Sequence, residues 1–329
     1  MTKDDLKGFD KAVKRQEALA QNSKDLMAKT KKYFSADLEV EENEISNLKD
    51  GDELILVRAS QQRGLEIARE MERYDLAALA LIIKAANDIA AQGGHFVSFA
   101  DQIICGEGAA DEVAKFRHYL AAAAGKAHAV YMSAPNVDVT TSIFTDGILA
   151  TGVGFGIKRN SYAKGKISKG DSIIGICTPS TAGIGIDIYS KVILEDMRNG
   201  VNDYIEELDE IAGEAMITPP PNYANLIQKL YDSFDVKDII PISKLGLVPD
   251  IAAVTGGEDK IKIQSSDWEY PKITKLMQKE VNLTDDFIIK HFNAGIGLAI
   301  IVDEKVELSI LLELNEMGVE AYSIGKIIK

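Results

Sequence analysis

Apolar and polar positions fall into blocks whose period changes along the chain. After the turn signal Asp50-Gly51-Asp52, the run Leu54-Ile55-Leu56-Val57 is continuously apolar and predicts a buried strand. A helical region follows it. Tyr74 to Ala91 is rich in Ala, Leu and Ile over about five turns and stops at Gly93-Gly94, which predicts a core helix. His95 to Cys105 is aromatic and β-branched and predicts a strand. Ala110 to Ala124 reads as a second Ala-rich helix closed by Gly125, and Phe144 to Lys158 is again strand-like. The polar stretch Lys164 to Asp171 then precedes the apolar strand Ser172 to Cys177, and a domain boundary is expected there.

The second half repeats this alternation. Ile186 to Asp196 and Asn222 to Phe234 read as helices, separated by Pro219-Pro220-Pro221, where proline lacks the donor a helix needs. Thr255-Gly256-Gly257-Glu258 looks like a phosphate loop but reads as a hairpin turn between two short strands. At the end, strand Leu298 to Val302, helix Glu304 to Met317 with its stop at Gly318, and strand Val319 to Ile328 form a βαβ unit in one sheet. Lys3 to Lys32 carries sparse apolar positions such as Leu6, Phe9 and Val13 and reads as one or two weakly amphipathic helices with a solvated charged face.

Composition narrows the function classes. The 329 residues are 46% hydrophobic and 27% charged, enough for two ordinary domains and incompatible with a disordered or fibrous chain. The net charge of −14 argues against a general grip on a nucleic acid backbone, so any phosphate must be held locally. Cys105 and Cys177 are too few for a disulfide framework or a Cys-rich zinc site and fit a reducing cytoplasm. The first residues carry no secretory pattern, and the apolar run Ala77 to Ile83 falls far short of the roughly 20 residues that span a bilayer. A soluble protein that engages no membrane is expected.

More specific signals come in series. Asn87-Asp88 through Gly94, Ala100-Asp101 through Gly106, and Lys169-Gly170-Asp171-Ser172-Ile173-Ile174-Gly175 appear in that order. Trp268-Glu269-Tyr270-Pro271, Phe292-Asn293-Ala294-Gly295-Ile296-Gly297-Leu298 and Ala321-Tyr322-Ser323-Ile324-Gly325 follow. In order and spacing this series resembles the aminoimidazole ribonucleotide synthetase (phosphoribosylformylglycinamidine cyclo-ligase) family of the PurM-like superfamily, over roughly residues 50 to 329. The resemblance implies an α+β, two-domain PurM-like fold in a homodimer, the N-terminal sheet forming the dimer interface and an α/β sandwich following it. The corresponding division is an N-terminal helical extension over 1–36, an N-terminal domain over 37–168 and a C-terminal domain over 169–329. The implied reaction uses ATP and Mg²⁺ to activate a formyl oxygen before an amidine nitrogen closes an imidazole ring.

The site motifs depart from the family. Where it has D-G-V-G-T-K, this chain reads Arg58-Ala59-Ser60-Gln61-Gln62-Arg63-Gly64-Leu65, leaving Arg63 and Gly64 as the cofactor-binding candidates or an ordinary surface loop. The glycine-rich A-G-V-D-I segment has no counterpart before Ala36. G-G-E-T is replaced by Ser133-Ala134-Pro135-Asn136, with Asp138 close by. Ser133, Asn136 and Asp138 are candidates for a polar substrate, or for a simple Asn/Asp turn. S-S-G-L-H-S-N-G becomes Thr178 to Gly185 without its histidine, and the histidine of H-I-T-G-G-G-L becomes Pro241.

Asn87-Asp88 is the retained pair. An aspartate in an apolar helix must be paired or bound to a cation. The resemblance implies Asp88 as an Mg²⁺ ligand, with Asn87 beside it and Asp101 as the nearest second acid, while a structural hydrogen bond is the alternative. Gly152, Gly154 and Gly156 mimic part of a dinucleotide fingerprint, but no helix follows. The histidines His95, His118, His128 and His291 lack metal spacing, and no catalytic residue is assigned. Two functions are therefore carried forward: a divergent cyclo-ligase that takes a nucleotide, and a non-catalytic binding or assembly paralogue that has lost the ATP site.

Overall fold

The computed structural model describes residues 52–106, 109–132, 138–139, 147–158, 164–264 and 268–329, with the backbone alone at 110, 138 and 139. The expected N-terminal helices lie outside the described residues. Glu53–Lys329 form one compact unit. Its first half runs β1 (Glu53–Ser60), α1 (Gln62–Glu70), α2 (Tyr74–Ala90), β2 (His95–Cys105), α3 (Ala110–Lys126), β3 (Val130–Met132), β4 (Asp138–Val139) and β5 (Ile148–Lys158). The second contains β6 (Ser172–Cys177), α4 (Ile186–Ser190), a π-helical stretch (Lys191–Asp196), β7 (Tyr204–Ile205), β8 (Glu210–Ile211), α5 (Ala212–Ile217) and α6 (Ala224–Ser233). It continues with β9 (Val236–Pro241), α7 (Leu247–Thr255), β10 (Ile261–Ile263), α8 (Lys272–Val281), α9 (Asp285–His291), β11 (Ile296–Val302), α10 (Glu304–Glu316) and β12 (Ala321–Ile327).

The first sheet has the order β1-β5-β2-β3, with β4 also beside β2. One face is covered by α2 and its neighbours. β1 is not buried on both faces, as its unbroken apolar run predicted: Ile55 and Val57 point inward, while Leu54 and Leu56 are 41% and 45% exposed. An apolar strand with one uncovered face looks, in sequence, like a fully buried one. Leu56 pairs with Phe155 and Leu54 with Ile157, so the uncovered apolar strip continues onto β5.

The glycines of β5 have a packing reason rather than a ligand. A Cβ at Gly152 would lie 2.0 Å from the Phe99 ring, and one at Gly156 would lie 2.3 Å from Ile89 on α2. Glycine here lets the helix layer sit directly on the sheet.

The second sheet has the order β10-β12-β6-β11-β9, every neighbouring pair antiparallel. β11 and β12 run parallel on either side of β6, joined by α10, so the predicted βαβ unit lies in one sheet with a strand between its arms. All of β11 is buried, because helices cover both faces of this sheet. One core cluster joins Ile174, Leu298, Ile300, Ile227 and Leu230 to Ala90 and Ala91 at the end of α2.

Three local expectations are corrected. Gln62 to Glu70 is a helix, so Arg63 and Gly64 lie in its first turn and not in a surface loop. Gly125 lies inside α3, which runs on to Lys126 because a single exposed glycine costs less than the hydrogen bonds around it. Thr255-Gly256-Gly257 ends α7, with Gly256 at φ +87°, and is a helix C-cap rather than a hairpin. The Phe144-to-Lys158 strand is described from Ile148, its first residues falling outside the described set.

These positions set opposite expectations for two alanines. Gly152→Ala should lower stability by about 1–3 kcal/mol, because the new methyl overlaps a buried ring. Gly125→Ala, where nothing lies within 4 Å of the added atom, should raise it by about 0.5–1 kcal/mol. Urea titration of both variants distinguishes a packing glycine from a merely tolerated one, and equal effects would contradict this assignment.

Candidate functional site

The polar group that the sequence singles out sits on the side of α2 that faces the second sheet. Asn87 and Asp88 are 3% and 6% exposed. Asp88 is paired, as its burial requires, but with protein cations. Its Oδ2 lies 3.6 Å from Lys84 Nζ, one helical turn back, and 3.8 Å from Lys244 Nζ. Lys84 Nζ also donates to Ser243 Oγ at 2.8 Å and to Ser243 O at 2.9 Å.

The loop that brings Ser243 and Lys244 here is held from below by Asp250. That carboxylate accepts the amide N–H groups of Ser243, Lys244 and Leu245, each at 3.0 Å. Full burial pushes the Asp250 pKa up, and the amides and the Lys244 charge oppose the shift.

Asn87 uses both ends of its amide. Nδ2 donates to Pro221 O at 3.1 Å and Oδ1 accepts from Tyr223 N at 2.7 Å, fixing the chain where the triple proline gives way to α6. Between α2 and the 241–243 loop remains a crevice of about 10 Å³ lined by Gln61, Lys84, Asn87, Pro220, Ser243 and Gly297 among others. That is room for about one water molecule.

The remaining predicted site residues are not gathered there. Arg63 donates to Glu66 at 2.9 Å and to Ser190 Oγ at 3.4 Å. Gly64 is buried, with Gln61 and Ile186 at ordinary contact distance from where a side chain would start, and Gln61 Nε2 donates to Ala182 O at 3.3 Å. Asp101 pairs with Arg117 of α3 at 3.0 Å, its side chain fully buried, and not with Asp88. A strand neighbour in sequence thus becomes a separate ion pair, because β2 turns that side chain toward α3. Ser133 and Asn136 lie outside the described residues, and Asp138 is placed only as a β4 backbone position opposite Ile104.

The 178–185 motif turns its hydroxyls inward. Thr181 Oγ1 donates to Met216 O at 2.9 Å, Ser180 Oγ donates to Thr218 O, and Asn293 Nδ2 donates to Ser180 O at 2.7 Å. Sequence reasoning missed Lys84, Ser243, Lys244 and Asp250. The four-residue step from Lys84 to Asp88 was a readable signal, whereas the approach of the 243–245 loop was not.

A divalent magnesium ion needs about six oxygen ligands at roughly 2.0–2.1 Å. Asp88 Oδ1 is buried with no hydrogen-bond partner among the described residues, which is the one feature in favour of a cation. Against it, two ammonium groups already face Oδ2 and would repel a divalent ion. No cluster of three or more His, Cys, Asp or Glu that could hold a metal occurs among the described residues. The residues present do not fit Mg²⁺ at Asp88.

No protein-family model matches the chain. It is 26% identical to the phosphoribosylformylglycinamidine cyclo-ligase of Alkaliphilus oremlandii over 287 residues, 86% of this chain and 84% of that protein. It is also 26% identical to the cyclo-ligase of Syntrophus aciditrophicus over 279 residues, 84% of this chain and 80% of the other. Its fold matches thiamine-monophosphate kinase from Stenotrophomonas maltophilia with TM-score 0.65 at 12% identity, covering 86% and 84% of the two chains. AaThiL complexed with AMPPCP and TMP matches with TM-score 0.63 at 13% identity, covering 86% and 83%. HypE, a hydrogenase maturation protein of E. coli, matches with TM-score 0.61 at 18% identity, covering 89% and 85%. The chain therefore has the mixed α+β, PurM-like fold that its sequence resemblance implied. No helix among the described residues is long and apolar enough to cross a membrane.

Lys84→Met should destabilise the protein by about 2–4 kcal/mol, because it leaves the buried carboxylate with the largely exposed Lys244 as its remaining cation and removes two bonds to the 243 loop. Adding Asp88→Leu should recover part of that loss, since the pair then disappears together. A denaturant series on the two single variants and the double variant measures the coupling, and strict additivity would mean that Lys84 and Asp88 do not interact.

Proposed function

We propose that this chain is a divergent PurM-like protein that acts by binding or assembly, and that it does not carry out magnesium-dependent ring closure. One observation carries the reading: Asp88, implied as a metal ligand by resemblance, is held by Lys84 and Lys244. The surrounding groups support it, since Gln61, Arg63 and Ser243 are spent on contacts within the chain and the crevice beside them admits about one water. Each electrostatic group lost from a catalytic site typically costs about 10²-fold or more in rate, so several losses together are incompatible with efficient turnover.

A second reading, a divergent cyclo-ligase, is favoured by the 26% identity to named cyclo-ligases over most of the chain. AaThiL was solved with AMPPCP, so a related fold admits a nucleotide, and on this reading ATP with Mg²⁺ is the cofactor pair. Both readings keep the homodimer. Its support is the uncovered strip of Leu54, Leu56 and Phe155 on the first sheet, which a second copy of that sheet would cover. The free thiols of Cys105 and Cys177 keep a reducing cytoplasm as the setting.

Titration calorimetry and thermal shift with ATP, once with Mg²⁺ and once with chelator, separate the two readings. The binding reading expects no heat and no stabilisation from millimolar Mg·ATP, whereas saturation at 100 times Kd would stabilise by about 2.7 kcal/mol. Magnesium-dependent binding that Asp88→Asn abolishes would overturn it in favour of the cyclo-ligase.

A further inference from the structure

A second hollow lies between the β7–β8 hairpin, α5 and the start of α8. Its volume is about 440 Å³, within the size range of small-molecule pockets. Two stretches that the sequence singled out for other reasons meet here: Pro179 comes from the 178–185 motif, and Tyr270-Pro271 from the Trp268-Glu269-Tyr270-Pro271 motif. Leu208, Ala215 and Ile273 complete an apolar lining. Trp268 meets Tyr270 edge to face, with ring centroids 6.1 Å apart, and itself donates to Ala294 O at 2.7 Å, so the aromatic wall is braced from behind.

Charge at the hollow is uneven. Lys275 Nζ is 2.7 Å from Glu269, and Lys272 Nζ is 3.7 Å from Asp209. Each lining ammonium thus has a carboxylate partner. Glu210 has no ion pair within 4 Å among the described residues. Burial raises its pKa, the like charge of Glu214 on α5 adds to the shift, and Lys272 on α8 opposes it. A charge on Glu210 is therefore costly unless a cation joins it.

We propose that this hollow binds a small organic cation with a flat apolar body, its amidinium or ammonium group paired with Glu210 and its body against Tyr270 and Pro271. Pairing relieves both the burial and the Glu214 repulsion, and a cation beside an aromatic ring gains further. Anionic ligands are disfavoured, since Glu210 lines the hollow without an ion pair among the described residues, while both lining ammonium groups already have a carboxylate partner. Whether the Asp88 crevice takes a nucleotide has no bearing on this hollow.

Benzamidine and its neutral analogue benzamide, each titrated into the full chain by ligand-observed NMR, provide the test. Benzamidine should bind with millimolar Kd, benzamide about tenfold or more weakly, and Glu210→Gln should remove the preference. Because the amidinium pairs with the charged carboxylate, benzamidine affinity should fall as pH drops through the raised Glu210 pKa. Glu214 and Lys272 face that group, and Asp209, Glu269 and Lys275 lie around it. Equal binding of the two probes, no benzamidine binding at millimolar concentration, or an unchanged preference in Glu210→Gln would each overturn the proposal. The comparison of the two probes on the wild-type chain remains decisive even where Glu210→Gln folds poorly.

Discussion

Helix α2 must bury a face that is partly polar, and the groups that satisfy this face come from α6 and the loops packed around the second sheet. Asn87 gives both ends of its amide to the Pro221–Tyr223 segment, Lys84 donates two hydrogen bonds to Ser243, and Ala91 O accepts from the Tyr231 hydroxyl at 2.8 Å. A buried polar group left without such partners costs about 1–3 kcal/mol, more when charged. These contacts therefore fix where the second sheet lies against α2, and the apolar cluster through Ala90, Ala91, Leu298 and Ile300 closes beside them. A few directional bonds set the placement, and area burial then supplies most of the free energy.

The same requirement explains why Asp88 does not fit the metal-ligand role that the resemblance implies. A carboxylate buried in a helix needs a positive partner, and an ammonium on the protein meets that need as fully as an ion from solution would. Lys84 and Lys244 give Asp88 Oδ2 two positive partners from the fold itself, and the Asp250 nest that holds the 243–245 loop keeps Lys244 within reach. Asp88 is thereby part of the weld between α2 and the 243–245 loop.

The two sheets meet water differently, and their sequences record it unevenly. β11 is apolar because helices cover both sides, and its buried pattern matches its composition. β1 carries the same kind of apolar run, yet Leu54 and Leu56 reach the surface because, among the described residues, helices cover only one side of the first sheet. On the covered side, glycines at 152, 154 and 156 bring α2 and Phe99 directly onto the strand. Close approach on one face and an open apolar strip on the other follow from α2 packing on a single side of this sheet.

Local sequence alone determined the elements whose signals are local. The Ala-rich core helix with its Gly93-Gly94 stop, the strands at 95–105 and 172–177, the closing βαβ unit and the PurM-like resemblance were all legible, because periodicity and caps depend on neighbours within a few residues. The need of Asp88 for a partner was legible too, as was Lys84 one turn away. Only the tertiary structure decided who that partner was. Lys244 and Ser243 lie more than 150 positions along the chain, and nothing in either segment encodes their meeting. It likewise decided that Asp101 belongs to Arg117, that Arg63 starts a helix, and that the β5 glycines serve packing. Pairing across a fold follows from how whole layers stack, and that information is carried by no single stretch of residues.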